Sequence, residues 1–277
     1  SSIIQQAEAS QKRINEFLNE RSEITNFNLN DTSNILGEIT FNNVNYKYKE
    51  TGIAATNNIN FSIKSVDKLG ITGGTGSGKS TLMNLLCRLY DIDDGEILID
   101  NIPIKEINLN SLRKQIGYVP QDTFLFSDTI MNNIKFGIEN ATRDEVIKAC
   151  KTAAIHNEIS NFEKGYDTIL GERGINLSGG QKQRISIARA LIKKPKILIL
   201  DDCLSAMDTQ TEELILKSLD SYTKNISTII ISHRISSIKN ANNIIVLENG
   251  SIIQSGTHNQ LISKDGYYKQ LYNKQII

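Results

Sequence analysis

The run Gly73-Gly74-Thr75-Gly76-Ser77-Gly78-Lys79-Ser80 has the spacing G-x-x-x-x-G-K-[ST]. Glycines let a backbone curl until successive N–H groups converge on phosphate oxygens. Apolar residues 69–72 predict a strand leading into this run, and a helix is expected over residues 81–89. A helix starting there adds positive partial charge at the same point. In that setting Lys79 bridges the outer phosphates of a polyphosphate and the Ser80 hydroxyl ligates Mg²⁺. A second segment, Ile197-Leu198-Ile199-Leu200-Asp201-Asp202, is an unbroken apolar run ending in two acids. Such a run suits a parallel strand buried on both faces. Asp201 then lies at the carboxyl end of the strand, where open α/β sheets bind ligands, and is the expected partner of Ser80 at the magnesium ion.

Further along the chain, Leu177-Ser178-Gly179-Gly180-Gln181 opens a helical pattern that continues through Arg184, Ala188, Arg189 and Ala190. Ser178 is a good N-cap and the glycines leave backbone N–H groups open, so this is a second anion-binding helix start. Taken by itself it reads as a capped helix. Between the phosphate loop and the apolar Asp201 strand, it resembles the signature motif of ATP-binding-cassette (ABC) ATPases. The resemblance extends over residues 37–275, and it is carried by ordered motifs. Tyr48 resembles the aromatic that stacks on adenine. Gln121, in Val119-Pro120-Gln121, resembles the glutamine that senses Mg²⁺ and the attacking water. Ser205-Ala206-Met207-Asp208 resembles the loop that crosses a dimer interface, and His233, in Ile231-Ser232-His233-Arg234, the histidine that contacts the γ-phosphate. The resemblance implies ATP and Mg²⁺ as cofactors. It implies nucleotide contacts from Tyr48, from Gly74, Thr75, Gly76, Ser77, Gly78, Lys79, Ser80 and Thr81, and from Ser178, Gly179, Gly180 and Gln181. Ser80, Gln121 and Asp201 are the implied metal ligands, and Asp202, His233 and Gln121 the implied catalytic set.

The elements that must position these residues are partly readable. Strands are expected over residues 38–48, 59–63, 69–72, 96–100, 117–119, 196–201, 227–232, 243–248 and 251–254. Between residues 128 and 176 the apolar spacing turns helical, with Val146, Ile147, Cys150, Ala153 and Ala154 on one face. Two short helices are expected from Thr257 onward, with His258 at a helix start; His156 lies in no motif. Residues 1–24 read as a polar amphipathic helix and residues 25–36 as a linker. The class is α/β. The resemblance implies a P-loop NTPase (RecA-like) core, an N-terminal antiparallel β-subdomain and a helical subdomain at about residues 122–180, together forming one nucleotide-binding domain over residues 37–277.

Composition excludes several alternatives. The 277 residues carry 31 basic and 31 acidic side chains, so no charged field points to nucleic acid or an anionic surface. Soluble ABC proteins of translation or DNA repair usually carry two cassettes or a long coiled coil, and neither is expected here. Hydrophobic residues at 39% and charged ones at 22% fit a folded, soluble chain. There is no apolar run of ~18–20 residues and no signal-peptide core. Cys87, Cys150 and Cys203 are too widely spaced for a zinc pattern and read as buried thiols of a reducing compartment.

Two features resemble the exporter type. Gly171-Glu172-Arg173-Gly174 resembles the segment exporters use to contact their partner's transmembrane helices. Residues 1–24 resemble the cytoplasmic end of the last transmembrane helix and its linker, so residues 1–36 are expected to be the linker and helix that follow a transmembrane domain. The implied setting is the cytoplasmic face of the cell membrane, within an integral membrane transporter. The implied partners are a transmembrane domain and a second nucleotide-binding domain, docked head to tail so that each ATP lies between one chain's phosphate loop and the other's signature motif. The family places Glu after the strand aspartate; here Asp202 stands there, shorter by about 1.5 Å. Three readings follow: the weakened half of a heterodimer, a slow homodimeric ATPase, and a regulatory ATP-binding module with little turnover of its own.

Overall fold

The computed structural model describes residues 2–20, 22, 24–26, 34–138 and 140–276. Helix α1 (Ser2–Asn19) buries none of its residues. Its apolar side chains Ile3, Ile14, Phe17 and Leu18 all face solvent, Phe17 being 80% exposed. It ends five residues short of the expected helix, and much of the expected linker lies outside the described residues. The linker is held where it is described. Arg88 donates to the Thr25 carbonyl at 3.2 Å, and the Asn26 side chain accepts from the Leu109 N–H at 3.0 Å.

Strands β1 (Ile39–Lys47) and β2 (Ala54–Ile63) pair antiparallel, and β3 (Lys68–Gly73) leads through the glycine loop into α2 (Lys79–Leu86). Strand β2 starts five residues earlier than the apolar pattern predicts. Its first half, Ala54-Ala55-Thr56-Asn57-Asn58, holds three polar residues, and Asn58 takes φ +51° where the pairing shifts register. Helix α2 stops at Leu86 instead of Leu89, because Arg88 enters the left-handed region at φ +52° and breaks the helical run. Next come β4 (Asp94–Ile99), β5 (Ile102–Pro103), α3 (Leu109–Gln115) and β6 (Ile116–Val119). The helical stretch contains α4 (Ile130–Lys135), α5 (Arg143–Thr152) and α6 (His156–Ser160), then α7 (Gly179–Ile192). The chain closes with β7 (Ile197–Asp201), α8 (Thr209–Tyr222), β8 (Ser227–Ile231), α9 (Ile235–Ile238), β9 (Asn243–Glu248), β10 (Ser251–Gly256), α10 (His258–Ile262) and α11 (Tyr267–Ile276).

Two sheets result. One is antiparallel, ordered β2-β1-β4-β5. The other is ordered β10-β9-β3-β8-β7-β6 and is parallel except where β10 turns back on β9. The large sheet separates two hydrophobic cores. Ile197 and Ile199 of β7 face the core shared with the antiparallel sheet and α2, while Leu198 and Leu200 face the helices around α7. Every residue of β7 is therefore buried, which is why the run could not alternate with polar residues. The order also brings the carboxyl ends of β3, β8, β7 and β6 side by side, so four loops far apart in sequence open onto one place.

Candidate functional site

Those four loops form a cavity of about 320 Å³ between the two sheets. Residues Thr75 to Thr81 make its floor, and Gln121, Asp201, Asp202 and His233 come from the ends of β6, β7 and β8. Tyr48, Ile53 and Ala55 close the side toward the antiparallel sheet. Two glycines of the loop are forced by the fold. Gly73 has φ +151° and a Cβ there would lie 2.2 Å from the Leu247 carbonyl oxygen; Gly78 has φ +99° and its Cβ would lie 2.3 Å from the Ala55 oxygen. Gly74 differs: a Cβ there would meet nothing within 4 Å and its φ needs no glycine. Nothing within the chain therefore requires glycine at 74.

Lys79 is 8% exposed, and its ammonium donates to the carbonyls of Gly73 at 3.0 Å and Gly74 at 2.7 Å. Burial pulls its pKa down, and the carboxylates of Asp201 and Asp202 oppose that pull. Asp201, 2% exposed, accepts from the Tyr118 hydroxyl at 3.1 Å and bonds the Ser80 side chain. Burial raises its pKa against those two hydrogen bonds. Asp202 takes the left-handed φ of +45°. Burial pushes its pKa up, and His233 beside it opposes that push. One oxygen, Oδ2, is 3.5 Å from Gln121 Nε2; the other, Oδ1, is buried with no hydrogen-bond partner. An orphaned carboxylate oxygen is costly, and a polar occupant of the cavity would relieve it. The Tyr48 hydroxyl bonds Thr81 Oγ1 at 3.0 Å, and its ring stands edge-on to Tyr46 and Tyr90.

Among the described residues no group of three or more His, Cys, Asp or Glu could hold a metal unaided. Ser80 and Asp201 offer one hydroxyl and one carboxylate, with Gln121 in the same cavity. That donor set fits Mg²⁺, which binds through one or two carboxylates and keeps its other positions for phosphate oxygens and water.

Residues 56–205, more than half of the chain, match the family model described as ABC transporter. The chain belongs to the ABC transporter family. It is 51% identical over 213 residues to an uncharacterized ABC transporter ATP-binding protein of Bacillus subtilis, a match covering 77% of this chain and 37% of that protein. It is 49% identical over 213 residues to a Staphylococcus aureus protein described as a putative multidrug export ATP-binding/permease protein, with the same shares covered. The match thus spans little more than a third of the length of these relatives. Among solved structures, a bacterial Atm1-family ABC exporter with ATP bound superposes with a TM-score of 0.91 at 37% identity, over 99% of this chain and 48% of that one.

The ABC domain keeps its signature helix apart from the cavity: none of Ser178, Gly179, Gly180 or Gln181 lines it. The helix start is built as the sequence indicates. Ser178 Oγ accepts from the Gln181 N–H at 3.2 Å and Gln181 Oε1 accepts from the Ser178 N–H at 2.9 Å, a reciprocal capping box. Glu158 of α6 binds both Gln181 and Arg184, which fixes the entry of α7. Ser178 and Gly179 are exposed, and a Cβ at Gly179 or Gly180 would meet only ordinary contacts, 3.6 Å or more away. No close contact inside this chain requires glycine at 179 or 180.

Two further features escaped sequence reading. Arg234, next to His233, donates to the carbonyls of Ser205 at 2.9 Å and Met207 at 3.1 Å and pairs with Glu212, which is 2% exposed. The hydroxyls of Ser236 and Ser237 also donate to Glu212. On the outer face, a groove of about 420 Å³ runs between α3 and α7, lined by Leu89, Arg113, Tyr118 and Phe136 among others. The signal for the first was the His233-Arg234 pair itself; the groove has no sequence signal, because its residues come from four separate segments.

Proposed function

We propose that this domain is the ATP-binding and ATP-hydrolysing motor of an ABC exporter, working at the cytoplasmic face of a membrane. The observation that carries the reading is the meeting of Lys79, Ser80, Asp201, Asp202, Gln121 and His233 in one cavity at the carboxyl ends of parallel strands. Lys79 and the N–H groups of the loop would hold the β- and γ-phosphates. Ser80 and Asp201, with Gln121, would hold Mg²⁺, which when bound neutralises charge on the phosphate oxygens. Asp202, Gln121 and His233 would orient the attacking water, and Tyr48 would stack on adenine. The exporter assignment is supported by the names of the relatives from Staphylococcus aureus and of the Atm1-family structure.

The signature helix supports a head-to-tail dimer. Its exposed glycines have no internal requirement, whereas a phosphate group arriving from a second nucleotide-binding domain would need bare backbone at a helix N-terminus. The partner would be a second copy or a related chain. A transmembrane domain would join through α1, whose apolar residues face solvent. Residues 1–36 would then be the connection and residues 37–277 the motor. Asp202 favours a second reading, a weakened site or a regulatory module that holds ATP with little turnover.

Binding of a fluorescent ATP analogue with Mg²⁺, followed by light scattering for dimer formation, tests the proposal. Wild type should bind and dimerise with nucleotide. Lys79→Ala should weaken binding about 10–100-fold, since it removes the buried cation from the phosphate loop. Equal binding by Lys79→Ala and wild type would refute it.

A further inference from the structure

Tyr118 belongs to neither the phosphate loop nor any motif named above, yet it touches the carboxylate proposed to hold the metal. It sits on β6, three residues before Gln121. The hydroxyl donates to Asp201 Oδ2 at 3.1 Å, and the half-buried ring lines the outer groove beside Leu89, Arg113 and Phe136. Strand pairing fixes the approach: Tyr118 is the direct neighbour of Ile199 in the parallel ladder, two residues before Asp201, so the phenol reaches along β7 to its end. A carboxylate on the last residue of a strand can turn about its terminal bond. A donor fixed on one oxygen, together with the Ser80 hydroxyl that also bonds this carboxylate, sets the plane of the group.

We propose that Tyr118 is a positioning residue for Asp201, holding its carboxylate in the orientation that receives Mg²⁺ with the nucleotide. The proposal rests on the reading of the cavity as a Mg²⁺–ATP site. Tyr118 does not line the cavity, so its hydroxyl acts through Asp201. Partners that hold a ligating carboxylate are worth about 10–100-fold in metal affinity.

Tyr118→Phe removes the hydroxyl and keeps the ring that lines the groove. Binding of a fluorescent ATP analogue to the whole chain is titrated with Mg²⁺ and repeated in EDTA. The Mg²⁺ concentration for half-maximal enhancement should rise about tenfold in Tyr118→Phe, while affinity in EDTA stays within twofold of wild type. In an Asp201→Asn background, adding Tyr118→Phe should change nothing, since the group it positions is gone. An unchanged Mg²⁺ requirement overturns the proposal. So does a loss of equal size in EDTA, which would mark a structural role alone. A wild-type chain that takes up no nucleotide overturns the reading of the cavity, and this proposal with it; a wild type that binds beside an identical Tyr118→Phe overturns this proposal alone.

Discussion

Asp202→Glu is the substitution that separates a working site from a weakened one. The structure places Asp202 Oδ2 3.5 Å from Gln121 Nε2, at the edge of hydrogen-bonding range, and leaves Oδ1 buried and unpartnered. One further methylene carries the carboxylate about 1.5 Å deeper into the cavity, toward the place a water would take beside the γ-phosphate. A misplacement of about 1 Å can cost about 100-fold in rate. The reference pKa values of the two acids differ by only about 0.4, so reach outweighs basicity. Glutamate tolerates the φ of +45° less well than aspartate, which offsets part of the gain through stability. The expected result is a gain of at least tenfold in phosphate release, or about 1.4 kcal/mol in barrier. The assay follows phosphate release at saturating Mg²⁺–ATP and high protein concentration, with Lys79→Ala as the zero. Wild type turning over as fast as Asp202→Glu would refute the argument from reach and leave aspartate as a competent group here.

Three other outcomes are expected. Gly78→Ala drives a Cβ to 2.3 Å from the Ala55 oxygen at φ +99°, so nucleotide binding should vanish and urea unfolding should show a loss of about 1–3 kcal/mol. Arg234→Ala strips the buried Glu212 of its cation and should cost about 3 kcal/mol in the same assay, with Arg234→Lys recovering part of it. Glu145, at the surface, is held at about 2 by a hydrogen bond from Lys194 and by the Thr142 N–H. Its stabilisation is present above pH 4.5 and is lost as pH falls from there toward about 2, because the folded state resists the proton that the unfolded chain accepts. Glu145→Gln should flatten stability over that interval, and salt should shrink the difference, as expected for an exposed pair.

The parts of this fold that could be read in advance are those where one constraint dominates. The run from Ile197 to Leu200 has to be apolar because both its faces are buried, and Gly73 and Gly78 have to be glycine because a Cβ would strike backbone. Where constraints compete, the pattern blurs. The start of β2 is hidden by Thr56-Asn57-Asn58, although Ala55 and Thr56 are buried, and α2 ends early at a left-handed Arg88 that no propensity announces. Helices α3, α8 and α9 went unread; α3 and α9 are short, with few apolar positions to set a period. That Lys79, Gln121, Asp201 and His233 share one cavity follows from the strand order β3-β8-β7-β6, which is a property of the sheet and not of any spacing along the chain.

The Arg234 guanidinium ties two loops into one body. It hangs from the loop after β8, which carries His233, and grips the carbonyls of Ser205 and Met207 in the loop after β7. Glu212, beneath it, anchors the grip to the first turn of α8. These loops therefore share a single set of positions. A displacement of His233 toward or away from a phosphate would drag residues 205–207 with it, and a push on those residues from outside would return through the same guanidinium to the histidine. The joint works in both directions, like a rocker on one pivot.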